Sequence, residues 1–216
     1  SYAQQRLWIL DQLGARGGVY NVPVTWRVHG RVEVPALEAA VRDVVLRHEA
    51  LRTVYPATPA GPIQQVLPVD ALALDPTPTA TADLDADVAA VVAAGFDVTV
   101  DPPLRTRLFR VADDEHVLAV VVHHIAADGA SLAPLSRDLV TAYAARAAGT
   151  APDWAPLPLQ YADYALWENE RGIVDADLEH WRRALDGLKP AELAADPITD
   201  GAAGARTVDF TVPREA

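Results

Sequence analysis

The stretch that decides the fold is Val117-Leu118-Ala119-Val120-Val121-Val122-His123-His124-Ile125-Ala126-Ala127-Asp128-Gly129. Its first six residues are apolar and mostly β-branched, which is typical of a strand buried on both faces of a sheet. The strand is predicted to end in the two histidines, and a five-residue loop follows them. We expect functional side chains at this point, because loops at the ends of buried strands carry chemistry on a rigid support.

The two histidines are predicted to have different roles, because adjacent residues of a strand point to opposite faces. One would be a reagent and the other a support. Asp128 can orient an imidazole, cap the following helix or pair with an arginine. Gly129 lets a ligand approach the backbone and leaves its N–H unobstructed. A helix N-capped by Ser131 would favour developing negative charge at that N–H, so the segment suits acyl transfer by a neutral histidine.

Three other interpretations of this segment compete with acyl transfer. A histidine pair that closes a strand is, on composition alone, more often a satisfied structural pair. A zinc site is disfavoured, because the pair and Asp128 offer at most three ligands and adjacent side chains diverge. A serine hydrolase is disfavoured, because the sequence contains no G-x-S-x-G motif.

Length and charge restrict the class of protein further. The chain has 216 residues, of which 50% are hydrophobic, so it can form one or two domains with a substantial core. A formal net charge of −12 argues against a nucleic-acid partner. The apolar runs are too short to span a membrane. The absence of cysteine excludes disulfides and thiolate metal sites and fits a reducing cytoplasm, where we expect the protein to act.

Hydrophobic periodicity predicts helices and strands on both sides of this stretch. Pro23 places the first strand at a sheet edge, Asp113-Asp114 marks a hairpin turn, and 68–82 is predicted to be mostly loop. The alternation indicates an α/β or α+β fold with a mixed sheet flanked by helices. Helices are predicted at 3–13, 34–51, 83–94, 131–147, 161–170 and 175–185, and strands at 22–28, 51–55, 63–67, 104–111, 115–123 and 207–212.

Four segments occur in order along the chain: Ser1-Tyr2-Ala3-Gln4-Gln5-Arg6-Leu7-Trp8, Arg47-His48-Glu49-Ala50-Leu51-Arg52-Thr53, His123 to Gly129, and Tyr161-Ala162-Asp163-Tyr164-Ala165-Leu166-Trp167. Together they closely resemble the condensation domains of nonribosomal peptide synthetases. The resemblance implies a chloramphenicol acetyltransferase-like fold of two lobes in a V. Residues 1–190 are then the N-terminal lobe, and 191–216 are a connecting segment and strand leading toward a missing C-terminal lobe. We expect the isolated lobe to be inactive.

The resemblance also implies an activity, which is amide formation by acyl transfer in secondary metabolism such as antibiotic biosynthesis. The amine of an acceptor aminoacyl thioester attacks the carbonyl of a donor acyl or peptidyl thioester. Both substrates arrive on 4'-phosphopantetheine arms, carried by an upstream donor and a downstream acceptor peptidyl carrier domain. An adjacent adenylation domain is expected as a partner. No metal and no cofactor bound by the lobe are implied.

The same resemblance assigns roles to individual residues. His124 is the expected catalytic residue, either as a general base or as the group that positions the attacking amine. Gly129 is expected to offer its amide to the donor carbonyl, and His123 and Asp128 to hold the loop.

The other motif residues are interpreted as structural. Arg6, Arg52, Asp163 and Trp167 are expected to hold the lobe together through buried Arg–Asp pairing. Arg47-His48-Glu49, near a helix end, is interpreted either as structural in the same way or equally as a solvated face with a C-terminal cation. Three histidines have no motif behind them and are interpreted as surface or strand residues: His29, His116 and His180.

Related domains with other functions remain alternatives. An epimerisation domain shares the HHxxxDG core but usually has Gly-x-Ser-Trp, where this chain has Gly129-Ala130-Ser131-Leu132. A heterocyclising domain would replace the first histidine with Asp. A non-catalytic module that recruits oxygenases commonly breaks the histidine motif, which is intact here. Tyr20-Asn21-Val22-Pro23 resembles domains that join an L-configured donor to an L acceptor, whereas Ala130 departs from the aromatic residue often found there.

Overall fold

The computed structural model describes residues 1–14, 17–72, 74 and 77–189. The chain divides into two compact units, Ser1–Gly172 and Ile173–Ala216. The first unit holds the sheet and every residue discussed as a site below. The described part of the second unit is a short stretch with one helix. The strand predicted at 207–212, like the whole segment 191–216, lies outside the described residues.

All six predicted helices are present, and the first begins as its sequence indicates. The Ser1 hydroxyl accepts a hydrogen bond from the Gln4 amide at 3.3 Å, within a capping box. No helix in the described ranges is both long and apolar enough to cross a membrane. The helices are α1 (Tyr2–Gln12), α2 (Val34–Arg47), α3 (Leu84–Ala93), α4 (Leu132–Ala147), α5 (Tyr161–Arg171) and α6 (Asp175–Ala184).

The strands of the chain form one main sheet and two short pairs. The strands are β1 (Asn21–His29), β2 (Thr53–Val54), β3 (Ala57–Thr58), β4 (Gly61–Pro62), β5 (Gln65–Val66), β6 (Thr79–Ala80), β7 (Leu104–Ala112) and β8 (Glu115–His123). The main sheet is mixed, as predicted, and has four strands in the order β1-β8-β7-β6. The strands β1, β8 and β7 pair antiparallel, and β6 pairs parallel with β7. Short strands form two further pairs, β2 with β5 and β3 with β4.

The strand β8 lies between two long partners. Asn21 of β1 faces His123, and Leu104 of β7 faces Val122, so the predicted hairpin of β7 and β8 is confirmed. Pro23 lies on β1, which is an edge strand of the sheet, as its missing N–H requires.

Both faces of β8 are covered by helices. On one face, α2 and α4 pack against Leu118, Val120 and Val122. On the other face, α3 packs against Val117 and Ala119. This burial on both sides explains why the strand is a continuous apolar run instead of an alternating one.

The helix α2 ends earlier than the sequence predicted. It was expected to run to Leu51, but it ends at Arg47, because His48 adopts an extended conformation (φ −108°, ψ 91°) and a 3-10 turn follows at Glu49–Arg52. Asp138 of α4 accepts hydrogen bonds from Arg47 Nε at 2.9 Å and pairs with His48 Nε2 at 2.8 Å. The expectation that Arg47 and His48 form a solvated face is therefore wrong; with Asp138 they form the Asp138 cluster.

The segment 68–82 was predicted to be mostly loop and contains more structure than expected. A 3-10 turn lies at Val69–Ala71, and β6 pairs with β7 so that Thr79 faces Phe109. A two-residue strand has no periodic hydrophobic signal, so its pairing depends on the neighbouring strand alone.

Candidate active site

The two histidines at the end of β8 diverge, as the strand geometry predicted. His123 is 3% exposed, whereas His124 is open to solvent. Their backbone amides are held by different neighbours: His123 N donates to Pro103 O at 3.0 Å and His124 N donates to Tyr20 O at 2.8 Å. The end of the strand therefore has a fixed backbone, while the second imidazole remains available.

His123 has the environment of a support. Its Nδ1 accepts a hydrogen bond from the Ile125 amide at 3.1 Å. The rings of Tyr20 and Phe96 lie with centroids 6.1 Å and 6.0 Å from its own. Burial, with a smaller contribution from His124, lowers the pKa of His123 from 6.5 to about 4. The ring is therefore neutral at pH 7 and holds the turn after the strand.

This lowered pKa predicts a specific acid sensitivity. Between pH 6.5 and pH 4 the unfolded chain binds a proton at His123 that the folded chain does not, so stability falls as the pH falls. The shift corresponds to about 3 kcal/mol of unfolding free energy lost between pH 7 and pH 4. In His123→Asn, whose side-chain oxygen can still accept from Ile125, we expect this component to be missing. Urea unfolding of both proteins at the two pH values measures the difference; equal losses would contradict the assignment.

Asp128 caps the turn that follows the loop. Its Oδ1 accepts from the Ser131 amide at 3.0 Å and from the Ser131 hydroxyl at 2.7 Å, while its own amide donates to Ser131 Oγ at 3.1 Å. The hydrogen bonds from the Ser131 hydroxyl and amide lower the pKa of Asp128. Ser131 occupies the N-cap position of α4, as predicted, but its side chain makes no capping hydrogen bond to α4, because a 3-10 turn at Gly129–Ser131 precedes the helix.

Gly129 borders open space. Its φ lies outside the left-handed region, and no described atom lies within 4 Å of the position that a Cβ would take. Neither the backbone conformation nor the packing of the described residues therefore demands glycine here. The approach of a ligand to the Gly129 backbone stays a prediction.

His124 lies in an open cleft of about 380 Å³, called here the His124 cleft. The walls come from α1, from the residue before β1, from the loop after β8 and from the start of α5. An imidazole, a carboxylate and a guanidinium thus share one solvent-open space, which suits the binding of a polar substrate. Its lining includes Arg6, Leu10, Tyr20, His124, Asp128 and Tyr161.

The other motif residues have partners that the sequence did not indicate. Arg52 donates to Glu49 Oε1 at 3.0 Å and to Leu67 O at 2.7 Å. Asp163 accepts from the Gln160 amide at 2.8 Å and so helps to cap α5. Arg6 is exposed in the His124 cleft, and Trp167 is 52% exposed beside Tyr164 and Arg171. The buried Arg–Asp pair of the described lobe is the one in the Asp138 cluster.

The three histidines that belong to no motif lie on the surface or on a strand, as the sequence predicted. His29 is exposed on β1, His180 is exposed on α6, and His116 is buried on β8 with 6% exposure. In the part of the chain that the structure describes, no group of three or more His, Cys, Asp or Glu residues is placed to hold a metal ion.

Sequence reasoning missed two glutamines that tie the site together. Gln4, 4% exposed, donates to Tyr55 Oη at 2.8 Å and to Ile125 O at 3.2 Å, so α1 is joined to the loop after β8. Gln160 accepts from Glu49 N at 3.2 Å and donates to Arg47 O at 3.0 Å, which joins the start of α5 to the end of α2. The first lies within a quoted motif; no sequence signal singled out the second.

A mixed sheet flanked by helices, in which the inner strand β8 ends in the HHxxxDG loop beside an open cleft, has the chloramphenicol acetyltransferase-like fold of solved condensation domains. Comparison with known proteins identifies the family within this fold class. The family described as "Condensation domain" matches residues 1–215, and the chain belongs to that family.

Three similar proteins illustrate the relationship. Over 97% of its own length, the present chain is 46% identical to an isonitrile lipopeptide synthase of Mycobacterium tuberculosis. Over 100% of its own length, it is 42% identical to a dimodular nonribosomal peptide synthase of Bacillus subtilis. It spans only 9% and 10% of those two relatives. A chain of a solved complex of the X-domain and OxyB from teicoplanin biosynthesis is 41% identical, with a TM-score of 0.78. The match covers 87% of the present chain and 43% of the chain in that complex.

Proposed function

We propose that this chain is the N-terminal lobe of a condensation domain that forms amide bonds in a nonribosomal peptide synthetase. The observation that carries the proposal is the exposed His124 at the fixed end of β8, beside the open space at Gly129. An imidazole held on rigid backbone, on the same loop as an exposed glycine whose amide can face a carbonyl oxygen, is an arrangement that suits acyl transfer.

In the proposed reaction, the amine of the acceptor attacks the thioester carbonyl of the donor. The new C–N bond forms, the C–S bond breaks, and the donor's pantetheine thiol leaves. The negative charge on the carbonyl oxygen faces the Gly129 amide. His124 either takes the proton of the attacking amine or holds that amine in line; both roles fit an exposed imidazole. His123 and Asp128 keep the loop in place through Ile125 and Ser131.

The substrates and partners follow from the same proposal. Upstream donor and downstream acceptor carrier domains would present thioesters on 4'-phosphopantetheine arms, and an adenylation domain would load them. A C-terminal lobe would supply the opposite wall of the His124 cleft. Support comes from the small share of the relatives that this chain spans, since 9–10% of each leaves room for many further domains.

Reconstitution tests the proposal. The synthetase that contains this chain, incubated with a loaded donor carrier and a loaded acceptor carrier, is expected to yield a carrier-bound amide detected by intact-protein mass spectrometry. The 216-residue chain alone is expected to yield none, because it spans 43% of the matched X-domain structure and one wall cannot hold both thioesters. Absence of amide from the synthetase with every loaded pair would contradict the proposal.

A second candidate function is a non-catalytic recruitment module. The 41% identity to an X-domain solved in complex with OxyB favours this alternative. Such a module would bind an oxygenase of similar kind and form no amide. The exposed His124 and the intact motif favour catalysis, and the reconstitution experiment separates the two functions.

An epimerisation domain is the remaining alternative, and it would exchange the Cα hydrogen of a single loaded substrate with solvent deuterium. Leu132 stands where such domains usually have Trp. We therefore expect no deuterium uptake in the same reconstituted system.

A further inference from the structure

The carboxyl end of α3 leads into the surroundings of His123. Because alternate residues of a strand share a face, His123 lies on the same face of β8 as Val117 and Ala119, which α3 covers. Phe96 comes shortly after α3 and is 4% exposed. Its ring is nearly perpendicular to the His123 ring, with the two centroids 6.0 Å apart. The position of the segment after α3 therefore bears directly on the first histidine of the pair.

Arg105 of β7 binds this end of α3. A helix leaves its last carbonyl groups without partners inside the helix, and its dipole favours a cation there. The guanidinium of Arg105 donates to three carbonyls at this point: Val91 O at 3.3 Å, Ala94 O at 3.0 Å and Gly95 O at 2.8 Å. One side chain of the sheet thus holds both the last turn of α3 and the residues that follow it.

The same guanidinium also lies over the ring of Phe96. Arg105 Cζ is 4.2 Å from the ring centroid. A planar guanidinium can stack on a ring while its N–H groups bind carbonyls, which an ammonium group cannot do. Phe96 therefore contacts Arg105 and His123 at once, and it links the half-buried guanidinium to the buried imidazole.

Asn21 holds the end of α3 from the other side of β8. It faces His123 across the sheet, and its Nδ2 donates to Val92 O at 2.6 Å and to Ala94 O at 2.8 Å. Arg105 faces Val121 on the opposite edge of the same strand. Side chains from both neighbours of β8 thus bind one helix end, and the end of β8 lies between them.

The turn before β1 packs closely against the same helix end. A Cβ at Gly18 would lie 2.7 Å from Val92 O and 2.9 Å from Ala93 Cα, so only glycine allows this approach. The turn ends at Tyr20, whose carbonyl accepts the hydrogen bond from the His124 amide. A shift of the end of α3 would therefore reach both histidines, His123 through Phe96 and His124 through Tyr20.

We propose that Arg105 is a positioning residue for acyl transfer, which fixes the end of α3 and the Phe96 ring and thereby orients the histidine pair. This inference rests on the proposed function and adds to it a residue outside the four motif segments. Arg105 lies on β7, outside the His124 cleft, so its effect passes through Phe96 and His123 and not through contact with a substrate.

The rate of amide formation tests the proposal in the synthetase that contains this chain. Arg105→Ala is expected to lower the maximal single-turnover rate by about tenfold to a hundredfold, since a misplacement of about 1 Å can cost about 10²-fold. The carrier concentration at half-maximal rate is expected to stay unchanged. Rates are referred to folded protein, measured by urea unfolding, so that a loss of stability alone would leave them at the wild-type value.

Arg107→Ala is the matched control. Arg107 lies two residues along β7 on the same face and is exposed, and its guanidinium donates to Thr106 O. Its replacement is expected to keep the wild-type rate. An equal loss of rate in Arg105→Ala and Arg107→Ala would overturn the specific role of Arg105.

A double variant tests the path through His123. If Arg105 acts through that ring, Arg105→Ala is expected to lower the rate less than about twofold in a His123→Asn background, because residues that act through one another are not additive. The full loss of rate in both backgrounds would overturn the path.

Chemical modification reads the histidine pair without catalysis. With diethyl pyrocarbonate, His124 of the wild type is expected to react while His123, 3% exposed, is protected. In Arg105→Ala, His123 is expected to react at least about tenfold faster, because the end of α3 opens more often. Mass spectrometry of the peptide that contains both histidines measures the two rates.

Arg105→Lys keeps the proposal testable if Arg105→Ala does not fold. The ammonium group retains the charge at the helix end but lacks the planar fork, so we expect it to expose His123 as well. Wild-type protection of His123 in both variants would overturn the proposal. No amide from the wild type would overturn the proposed function, and the modification rates would still decide whether Arg105 holds the histidine pair.

Discussion

Replacing His124 with alanine is expected to lower amide formation by about 10²–10⁴-fold, the range associated with a positioned acid–base residue. The imidazole is exposed at the end of β8, whereas the ring of His123 is buried. We therefore expect the unfolding free energy to change by no more than about 0.5 kcal/mol, as for other exposed substitutions. Single-turnover rates with loaded carriers measure the first effect, and urea unfolding measures the second.

His29→Ala is the matched control for this variant. His29 is also an exposed histidine, but it lies at the far end of β1, paired in register with Glu115 at the start of β8. Its replacement is expected to leave the rate unchanged. Product from His124→Ala at the wild-type rate would remove His124 from the mechanism.

Replacing Asp138 with alanine is expected to cost about 3–5 kcal/mol of unfolding free energy, because it leaves a buried cation without its counter-ion. Asp138 is 5% exposed, and the side chain of Arg47 is only 13% exposed. Burial by itself would raise the pKa of Asp138, but hydrogen bonds from His48 and Arg47 outweigh it and lower the pKa. The folded lobe therefore contains an ionised carboxylate that serves two partners at once.

Asp43→Ala is the control for the loss of Asp138. Asp43 of α2 also pairs with an arginine of α4, Arg146, through two hydrogen bonds of 2.6 Å. The Arg146 side chain is 33% exposed, so water can replace the lost partner and a smaller loss is expected. Chemical unfolding of both variants measures the difference. A loss for Asp138→Ala no larger than for Asp43→Ala would contradict the assignment of the Asp138 cluster as a buried ionic anchor.

The parts of the fold that were predicted correctly depend on local patterns. The apolar run that became β8, the turn at Asp113-Asp114 and the amphipathic stripe of α2 are all visible in short windows of sequence. The divergence of His123 and His124 follows from strand geometry alone. These features required no knowledge of which distant segment packs against them.

Two features were missed, one that depends on distant segments and one that is local. The helix α2 ends where His48 pairs with Asp138, which lies 90 residues away along the chain. The turn after the His123–Gly129 loop is capped by Asp128, whose carboxylate accepts from both the amide and the hydroxyl of Ser131. A sequence window shows two competent capping residues but not which of them forms the hydrogen bonds.

The candidate site was predicted in part. The four motif segments located the loop and one wall of the His124 cleft, through Arg6 and His124. A neighbouring cleft of about 500 Å³ was not predicted, because Leu157 and Leu159, which line it, lie in an irregular segment and belong to no motif. Their position depends on Gln160, which joins the start of α5 to the end of α2.

The pairing of β8 along both edges bears on how the sequences of such domains can diverge. The backbone of His124 is held by the sheet and by Tyr20 O, whereas the cleft walls lie on a loop, a helix start and an irregular segment. Mutations in the walls can therefore accumulate without displacing the reacting group. Under the proposed function, selection for new peptide products acts on one set of residues and selection for turnover acts on another, so a lineage can explore products while it keeps its chemistry.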